Sequence, residues 1–278
     1  MEKVTFVGDI HSGADDLRTL LTDPVILDSH IVFLGDYIDG LTTRHFSDHT
    51  EPMVVDPLAV LDILMDRVAH HGDQALLGNH DDFWIATARR DRDAYETWKL
   101  NGGEHTWARL GITGDGLFQV ADALNAAPLR AYTDFLNQRP ITWENDAILA
   151  VHAGLNWHNT LAQQERDDLL WIRGDYYFKD DDHHAEGWHR NDLGKVIVTG
   201  HTPVQFLQTN GIGYIKMTAS HDDVPRYLID SGSRSGAVDG GVFALTLAAD
   251  GQVIQKKRAV KGQLYDGDQP LTEADLAD

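Results

Sequence analysis

The stretch VTFVGDIH, residues 4–11, joins a short run of apolar and β-branched residues to a carboxylate and an imidazole. Its first four residues predict a buried strand that ends at Gly8. Asp9 and His11 follow two positions apart, so on an extended backbone both side chains face the same side and could bind one ion. A single pair of this kind is equally compatible with a turn. The interpretation therefore depends on whether other strands end in the same way.

Four further runs share this style, in which an aliphatic strand is followed by Gly together with Asp, Asn or His. They are IVFLGDYID (31–39), ALLGNHD (75–81), ILAVHAG (148–154) and VIVTGHTP (196–203). Ligands of α/β sheets gather at the carboxyl ends of the strands. The five strand ends would therefore surround one crevice with Asp9, His11, Asp36, Asp39, Asn79, His80, His152 and His201.

These residue types indicate a binuclear metal centre. Carboxylate oxygens, imidazole nitrogens and an amide oxygen suit Mn²⁺, Fe²⁺ or Zn²⁺, and the chain has no cysteine that could supply sulfur. Asp36 could bridge two ions through its two oxygens, whereas the adjacent Asn79 and His80 must diverge. Each residue alone has an ordinary structural explanation, but five separate strand ends with ligand residues are not expected from turn chemistry.

The rest of the chain predicts a single α/β domain, organised as a two-sheet β-sandwich flanked by helices. We expect the domain to span residues 1–262, followed by an acidic, flexible tail at 263–278. Helices are expected at 14–21 with Ser12 as the cap, 57–70 with Asp56 as the cap, 81–110 with a break near 101–103, 128–138 and 161–170. Strands are expected at 4–7, 31–34, 75–77, 147–151, 195–199, 227–229, 241–247 and 253–257.

Composition excludes several classes of function. The net charge of −21, from 23 basic and 44 acidic residues, repels duplex DNA and anionic membranes, so neither nucleic acid nor a membrane is an expected partner. The apolar runs are far shorter than the ~18 residues needed to span a bilayer. No signal peptide is visible and cysteine is absent, so a cytoplasmic location is the expectation.

The motifs GDIH, GDYID, GNHD, HAG and GHTP, in this order, resemble those of the calcineurin-like metallophosphoesterases. WIRGD (171–175) and LIDSGSRSGAVDGG (228–241) favour a narrower resemblance to the phosphoprotein phosphatases of the Ser/Thr type, in particular their small bacterial and phage members. The resemblance extends from Val4 to about Leu247. It implies a dinuclear site on a β-sandwich with helices on both sides.

The resemblance also implies a role for each residue. Two divalent ions, Mn²⁺ with Fe or Zn as alternatives, would be held by Asp9 and His11 (first ion), Asp36 (bridging) and Asn79, His152 and His201 (second ion). His80 would donate a proton to the leaving group and Asp39 would orient its ring. Arg173, in WIRGD, resembles the phosphate-binding arginine of the family. A hydroxide bridging the ions would attack phosphorus in line, without a covalent phosphoenzyme.

One departure from the family pattern concerns phosphate binding. The second motif of the family usually continues as GD-x-x-D-R-G with an arginine that binds phosphate, but here Gly40 takes that position. Arg44 lies four residues on and could reach back to the phosphate, or could be an ordinary surface residue. Ser12, in place of the usual glycine, is a smaller departure.

Three functions remain open at this point. The first is a phosphomonoesterase acting on phosphorylated protein or small phosphoesters, and the second is a hydrolase of dinucleoside polyphosphates. The third is a metal-binding interaction module without catalysis, which would predict a damaged ligand set. The first two would differ in the loops 41–56 and 176–192. The stretch 179–190, rich in His and Asp, is expected to be a solvated acidic loop rather than a third metal site. Because it follows WIRGD, it could instead rim the pocket and shape specificity. The sequence does not indicate the oligomeric state.

Overall fold

The protein is built from short strands and helices, with most helices in the first half of the chain and most strands of the second half grouped together. The computed structural model describes residues 3–179 and 187–277. Its strands are β1 (Lys3–Val7), β2 (His30–Phe33), β3 (Thr43–His45), β4 (Thr50–Pro52), β5 (Gln74–Ala75), β6 (Thr142–Glu144), β7 (Ile148–Val151), β8 (Val196–Thr199), β9 (Ile215–Met217), β10 (Arg226–Leu228), β11 (Val242–Ala248), β12 (Val253–Val260) and β13 (Gln263–Asp266).

The helices lie mostly in the first half of the chain. They are α1 (Ala14–Leu20), α2 (Pro24–Leu27), α3 (Pro57–His70), α4 (Asn79–Ala88), α5 (Arg92–Leu100), α6 (Gly103–Arg109), α7 (Leu117–Leu124), α8 (Arg130–Asn137), α9 (Arg166–Trp171), α10 (Gly174–Tyr177) and α11 (Glu273–Leu276). Two 3₁₀ turns, Leu161–Gln163 and Val204–Phe206, complete the set. No helix in the described ranges is long and apolar enough to cross a membrane.

Two sheets carry the architecture. The first has six strands in the order β13-β12-β11-β1-β2-β5, and the second has five in the order β6-β7-β8-β10-β9. Strands β1, β2 and β5 run parallel in the first sheet, as do β7, β8 and β10 in the second. The remaining pairs in both sheets are antiparallel, and β3 and β4 form a separate hairpin. Each sheet therefore has three parallel strands with their carboxyl ends at one edge.

The core has three layers because the strand side chains alternate between faces. Val4 and Phe6 of β1 pack between the two sheets, in a cluster that also contains Val198 of the second sheet. Val7 of the same strand points the other way, into a cluster shared with the helices. Val151 packs into a third cluster on the outer face of the second sheet. The α/β sandwich flanked by helices that the sequence predicts is confirmed.

The best-predicted helix is α3, which begins and ends where the sequence indicates. The Asp56 carboxylate accepts a hydrogen bond from the amide of Ala59, and Pro57 occupies the first helical turn. The expected cap of α1 is wrong, because the N-cap position is Gly13 and no side chain caps this helix. Ser12 instead adopts a left-handed backbone, and its hydroxyl accepts the Gly40 amide.

Other boundaries differ from expectation in informative ways. The stretch 81–110 contains three helices rather than two, and 161–170 divides into a 3₁₀ turn and α9. The hairpin β3–β4, the edge strands β6 and β9, and helices α2 and α7 have no counterpart among the expected elements. Within the expected acidic tail, β13 pairs with β12, and Leu271 and Leu276 are buried against the first sheet. Two apolar side chains therefore anchor this acidic segment to the first sheet.

Candidate dinuclear metal centre

The carboxyl ends of the parallel strands meet at one edge of the sandwich. Asp9 follows β1, Asp36 follows β2, Asn79 follows β5, His152 follows β7 and His201 follows β8. Two groups of side chains have ligand atoms within 4.8 Å of one another, one formed by Asp9, His11 and Asp36 and the other by Asp36, His152 and His201. All these residues are buried. Asp36 belongs to both groups, which is the position a bridging ligand requires.

Hydrogen bonds to backbone carbonyls fix which nitrogen of each imidazole carries the proton. Because a carbonyl can only accept, the Nδ1–H of His11 must donate to Ile38 O at 2.8 Å and that of His152 to Leu34 O at 3.0 Å. The Nε2–H of His201 donates to Trp171 O at 3.2 Å. This arrangement is the one that orients histidine ligands in metal sites.

The other nitrogen of each ring is therefore available to present a lone pair, and it faces oxygen. His11 Nε2 lies 3.5 Å from Asp36 Oδ2. Asn79 Oδ1 lies 2.9 Å from His152 Nε2 and 2.8 Å from His201 Nδ1. Lone pairs that face one another in a dry interior repel, and a cation between them reverses the sign of the interaction. The donor set thus fits two divalent ions with nitrogen and oxygen ligands.

Burial perturbs the titration of the same side chains. Burial lowers the pKa of His11 to about 3 and also lowers the pKa of His201, so both rings are neutral near pH 7. The pKa of Asp9 is raised, first by burial and then by the neighbouring carboxyls of Asp230 and Asp36. Burial alone would raise the pKa of Asp36, but the neighbouring rings of His152, His80 and His11 lower it well below its ordinary value, so the shared ligand keeps the negative charge that suits cations.

The turns that carry the ligands are strained. His11, Asp36, Asp39 and His201 all have positive φ angles, of 44°, 54°, 64° and 71°. Residues other than glycine rarely adopt positive φ angles, and those that do cluster at functional sites. The glycine of GHTP has a steric reason, since a Cβ at Gly200 would lie 2.0 Å from Asp9 Oδ1.

The ligand residues also join the two sheets. The amide of His201, which follows β8, donates to Asp9 Oδ1 at 3.0 Å. The Nδ1–H of His152, which follows β7, reaches Leu34 O beyond β2. The hydroxyl of Ser233, beyond β10, donates to Asp9 O at 2.9 Å. The site therefore lies on the junction between the sheets.

Asp81 supports this junction from within α4. Its carboxylate accepts the amides of Asp36 at 2.7 Å, Tyr37 at 3.1 Å and Gly78 at 3.1 Å, and so fixes the turn after β2 against the start of the helix. The sequence reasoning assigned no role to Asp81, although it is the last residue of GNHD. Asp230 is a second omission, since it ends the run YLID after β10 in the same style as the five motifs.

A buried histidine–aspartate pair lies beside the ligands. His80 Nδ1 is 2.6 Å from Asp39 Oδ2, and the ring of His80 meets that of His11 edge to face at 5.1 Å between centroids. Asp39 also accepts Trp98 Nε1–H at 2.7 Å and the Thr106 hydroxyl at 2.5 Å. Nothing in the local sequence pattern of α5 or α6 indicates that these helices hold Asp39.

The candidate phosphate-binding arginines lie in different surroundings. Arg173 is exposed, and its Nη1 donates to His201 O at 3.1 Å and to Thr202 Oγ1 at 2.7 Å. Arg44 is buried, donates to Val238 O at 2.5 Å and lines, together with His11, a cavity of about 230 Å³. At Gly40 a Cβ would lie 2.3 Å from His11 O, so the backbone leaves no room for an arginine there.

The structure thus brings all six expected ligands and the His80–Asp39 pair together. The expectation for the loop 179–190 concerns mainly residues 180–186, which lie outside the described residues. A two-sheet sandwich that holds two adjoining Asp/His ligand groups at its strand ends defines the class of metallophosphoesterases. Comparison with known proteins agrees with this class. Residues 2–230 match the family model of calcineurin-like phosphoesterases, so the chain belongs to that family.

Members of the family are phosphoester hydrolases that use a dinuclear divalent metal centre, and the protein is an enzyme of this class. No curated protein matches the sequence. Among solved structures, the protein is similar to "a putative diadenosine tetraphosphatase", with a TM-score of 0.57, 17% identity and coverage of 94% of this chain and 95% of the other.

Two further solved structures have lower scores. A metallophosphoesterase from Sphaerobacter thermophilus has a TM-score of 0.44 and 15% identity, over 93% of this chain and 88% of that one. A protein serine/threonine phosphatase from Saccharomyces cerevisiae has a TM-score of 0.42 and 14% identity, over 87% of this chain and 72% of that one.

Proposed function

We propose that the protein is a phosphomonoesterase of the Ser/Thr protein phosphatase type, acting on phosphorylated protein or small phosphoesters. The observation that carries the proposal is the contact of 2.6 Å between His80 and Asp39 beside the ligand groups. An alkoxide is a poor leaving group and needs a proton as it departs. His80 contacts Asp39 through Nδ1, so its Nε2 is left to donate that proton to the leaving group.

The metal ligands proposed for this reaction are Asp9 and His11 for one ion, Asp36 for both, and Asn79, His152 and His201 for the other. When bound, two divalent ions, for which we propose Mn²⁺, would lower the pKa of a shared water and neutralise the phosphate. Asp39 accepts the Nδ1–H of His80, so that a proton carried on Nε2 is directed to the leaving group. Arg173 would bind a phosphate oxygen next to His201.

An anionic substrate must approach a molecule whose net charge is −21. The opposing field is local, because four charges on two ions exceed those of Asp9 and Asp36. Exposed acidic side chains beyond a Debye length of about 8 Å are screened at physiological salt. Local charge at the centre therefore supports phosphate binding despite the acidic surface.

A dinucleoside polyphosphate hydrolase is the second candidate. It is suggested by the similarity to the structure described as "a putative diadenosine tetraphosphatase", although at 17% identity that similarity supports only the fold. The interaction module without catalysis would have no use for a His80–Asp39 pair supported by two further hydrogen bonds.

The test is hydrolysis by purified protein, stripped with a chelator and reloaded with Mn²⁺, Fe²⁺ or Zn²⁺. The substrates are a phosphoserine peptide, p-nitrophenyl phosphate and diadenosine tetraphosphate. We expect the two monoesters to be hydrolysed in preference. Cleavage of only the dinucleotide would favour the second candidate, and no cleavage with any ion would refute a hydrolytic role.

The variant His80→Asn separates catalysis from metal binding. We expect metal content near wild type and turnover of the phosphopeptide reduced by about 10²–10⁴-fold, the usual range for loss of a general acid. His221→Asn, at a fully exposed histidine, is the control and should change neither quantity. Full activity of His80→Asn would remove His80 from the mechanism.

A further inference from the structure

Arg234, in the loop after β10, lies against the backbone of the second motif. Its side chain is half-buried, and its Nε–H donates to Asp39 O at 2.8 Å, immediately before Gly40. Its Nη2 donates to Asn101 O at 2.5 Å, at the end of α5. The guanidinium group is therefore anchored next to the residue where the resembled family carries its phosphate-binding arginine.

The charge of Arg234 has no carboxylate partner among the described residues. Every oxygen that it contacts there is a backbone carbonyl. The carbonyl that holds Arg234, that of Asp39, directly follows the carbonyl of Ile38, which accepts the Nδ1–H of the ligand His11, so the guanidinium is anchored beside the first ligand group. A guanidinium held close to two metal ions is repelled by them when no carboxylate neutralises it. A bound anion would relieve that repulsion.

Arg44 likewise has no carboxylate within ion-pair distance among the described residues, but the cavity that it lines is acidic and contains Asp16 and Glu51. The carboxylates that act on its charge are those of Asp16, Glu51 and Asp239, and its guanidinium donates to Val238 O. Nearby carboxylates therefore already offset part of its charge. Of the two arginines near the second motif, Arg234 is therefore the better candidate to pair its charge with an anionic ligand.

Arg173 and Arg234 are each tied to a different ligand group. Arg173 donates to the carbonyl of His201, a residue of one ligand group. Arg234 donates to the carbonyl of Asp39, next to the Ile38 carbonyl that accepts His11 of the other group. A phosphate that spans both groups would meet one guanidinium on each side.

We propose that Arg234 binds the substrate phosphate opposite Arg173 and thereby takes the role left open by Gly40. The inference rests on the proposed function for the identity of the anion. A guanidinium has five N–H groups, of which Arg234 gives two to backbone carbonyls, so three remain for phosphate oxygens. The carbonyl contacts orient the fork without neutralising it.

The test compares Arg234→Gln with Arg139→Gln in the Mn²⁺-loaded protein. Arg139 is a matched control because it is also half-buried and donates to a backbone carbonyl, that of Phe135, without a carboxylate partner among the described residues. The probe is inorganic phosphate, with its Kd measured by calorimetry and its Ki by inhibition of p-nitrophenyl phosphate hydrolysis. Metal content and Tm are recorded for each variant.

We expect Arg234→Gln to raise the Kd and Ki of phosphate and the KM of the substrate by about 10–100-fold, the effect of losing charge-assisted hydrogen bonds. Metal content should stay at the wild-type level, and Arg139→Gln should leave phosphate binding unchanged. A lowered Tm with phosphate affinity within twofold of wild type would overturn the inference and leave Arg234 as a structural tether.

Arg234→Lys keeps the test decisive if Arg234→Gln fails to fold. Lysine retains a charge but cannot reproduce the fork, so we expect a several-fold weaker Kd for phosphate with metal content unchanged. An unchanged Kd in this variant would also overturn the inference. If wild type binds phosphate through Arg234 but hydrolyses no phosphoester, the proposed function fails and the binding role stands; if wild type binds no phosphate, the binding role fails.

Discussion

Replacing Thr106 by valine tests whether α6 contributes to the chemistry through Asp39. The hydroxyl of Thr106 donates to Asp39 Oδ1 at 2.5 Å, and the side chain is 3% exposed. Valine has nearly the same shape, so the change removes one hydrogen bond and leaves a buried carboxylate oxygen without that donor. Trp98 and His80 still contact the other oxygen.

The magnitude follows from the charge of the acceptor. A hydrogen bond to a charged group contributes about 1.5–3 kcal/mol, so we expect the free energy of unfolding to fall by that amount. If the activation free energy of the reaction rises by the lower end of this range, kcat for a phosphoserine peptide falls about 10-fold. With p-nitrophenyl phosphate, whose leaving group needs no proton, we expect a loss below about threefold.

The measurements are urea unfolding and steady-state kinetics with both substrates. Thr87→Val is the matched control, because Thr87 is also buried on a neighbouring helix but its hydroxyl has no hydrogen-bond partner in the described structure. That variant should be neutral or stabilising and kinetically silent. Equal rate losses with the two substrates, or a destabilised Thr106→Val with unchanged kinetics, would refute a role of Thr106 in proton donation.

Two further predictions concern the charges of the centre. Asp36→Asn removes the ligand shared by both groups, so we expect measured metal content to fall by at least one ion per chain, and full occupancy would contradict bridging. Burial raises the pKa of Asp230 to about 7, above the ordinary value of 3.8. In the metal-free protein the charged carboxylate of Asp230 therefore lowers the free energy of unfolding above pH 7, and this destabilisation disappears as the pH falls toward 4. Asp230→Asn should therefore be more stable than wild type at pH 8, by up to about 1.4 kcal/mol per pH unit of the shift, and nearly equal to it at pH 4 in urea unfolding without metal. A difference that does not depend on pH would contradict this.

The metal ligands could be predicted from sequence because each one is adjacent to a strand with a strong local signal. A short aliphatic run followed by Gly and a polar ligand specifies both the strand and its end, and parallel strands bring those ends together. Trp98 and Thr106 could not be predicted in this way. They reach Asp39 from helices whose periodicity reports only burial, and the contact depends on how α5 and α6 fold back over the site.

The short edge elements escaped for a related reason. Strands β6 and β9 have three residues each and are defined by their neighbours in the sheet rather than by a pattern of their own. Likewise, the partner of Arg234 could not be read from the motif SGSRSG, because Asp39 is 195 positions away and offers a backbone carbonyl rather than a charge. Contacts to main-chain atoms that are distant in the chain have no local signature in sequence.

The junction of the sheets at the ligands has a consequence for how the molecule comes apart. Hydrogen bonds made by the metal ligands join the two sheets at the candidate metal site, which we call the ion cage. His201, after β8, bonds to Asp9 after β1, and His152, after β7, bonds to Leu34 after β2. Neither half of the sandwich can separate without opening that cage, and an occupied cage holds the halves together. Heating should therefore release the ions and melt both sheets in one cooperative step, with a midpoint that climbs as free divalent ion is added.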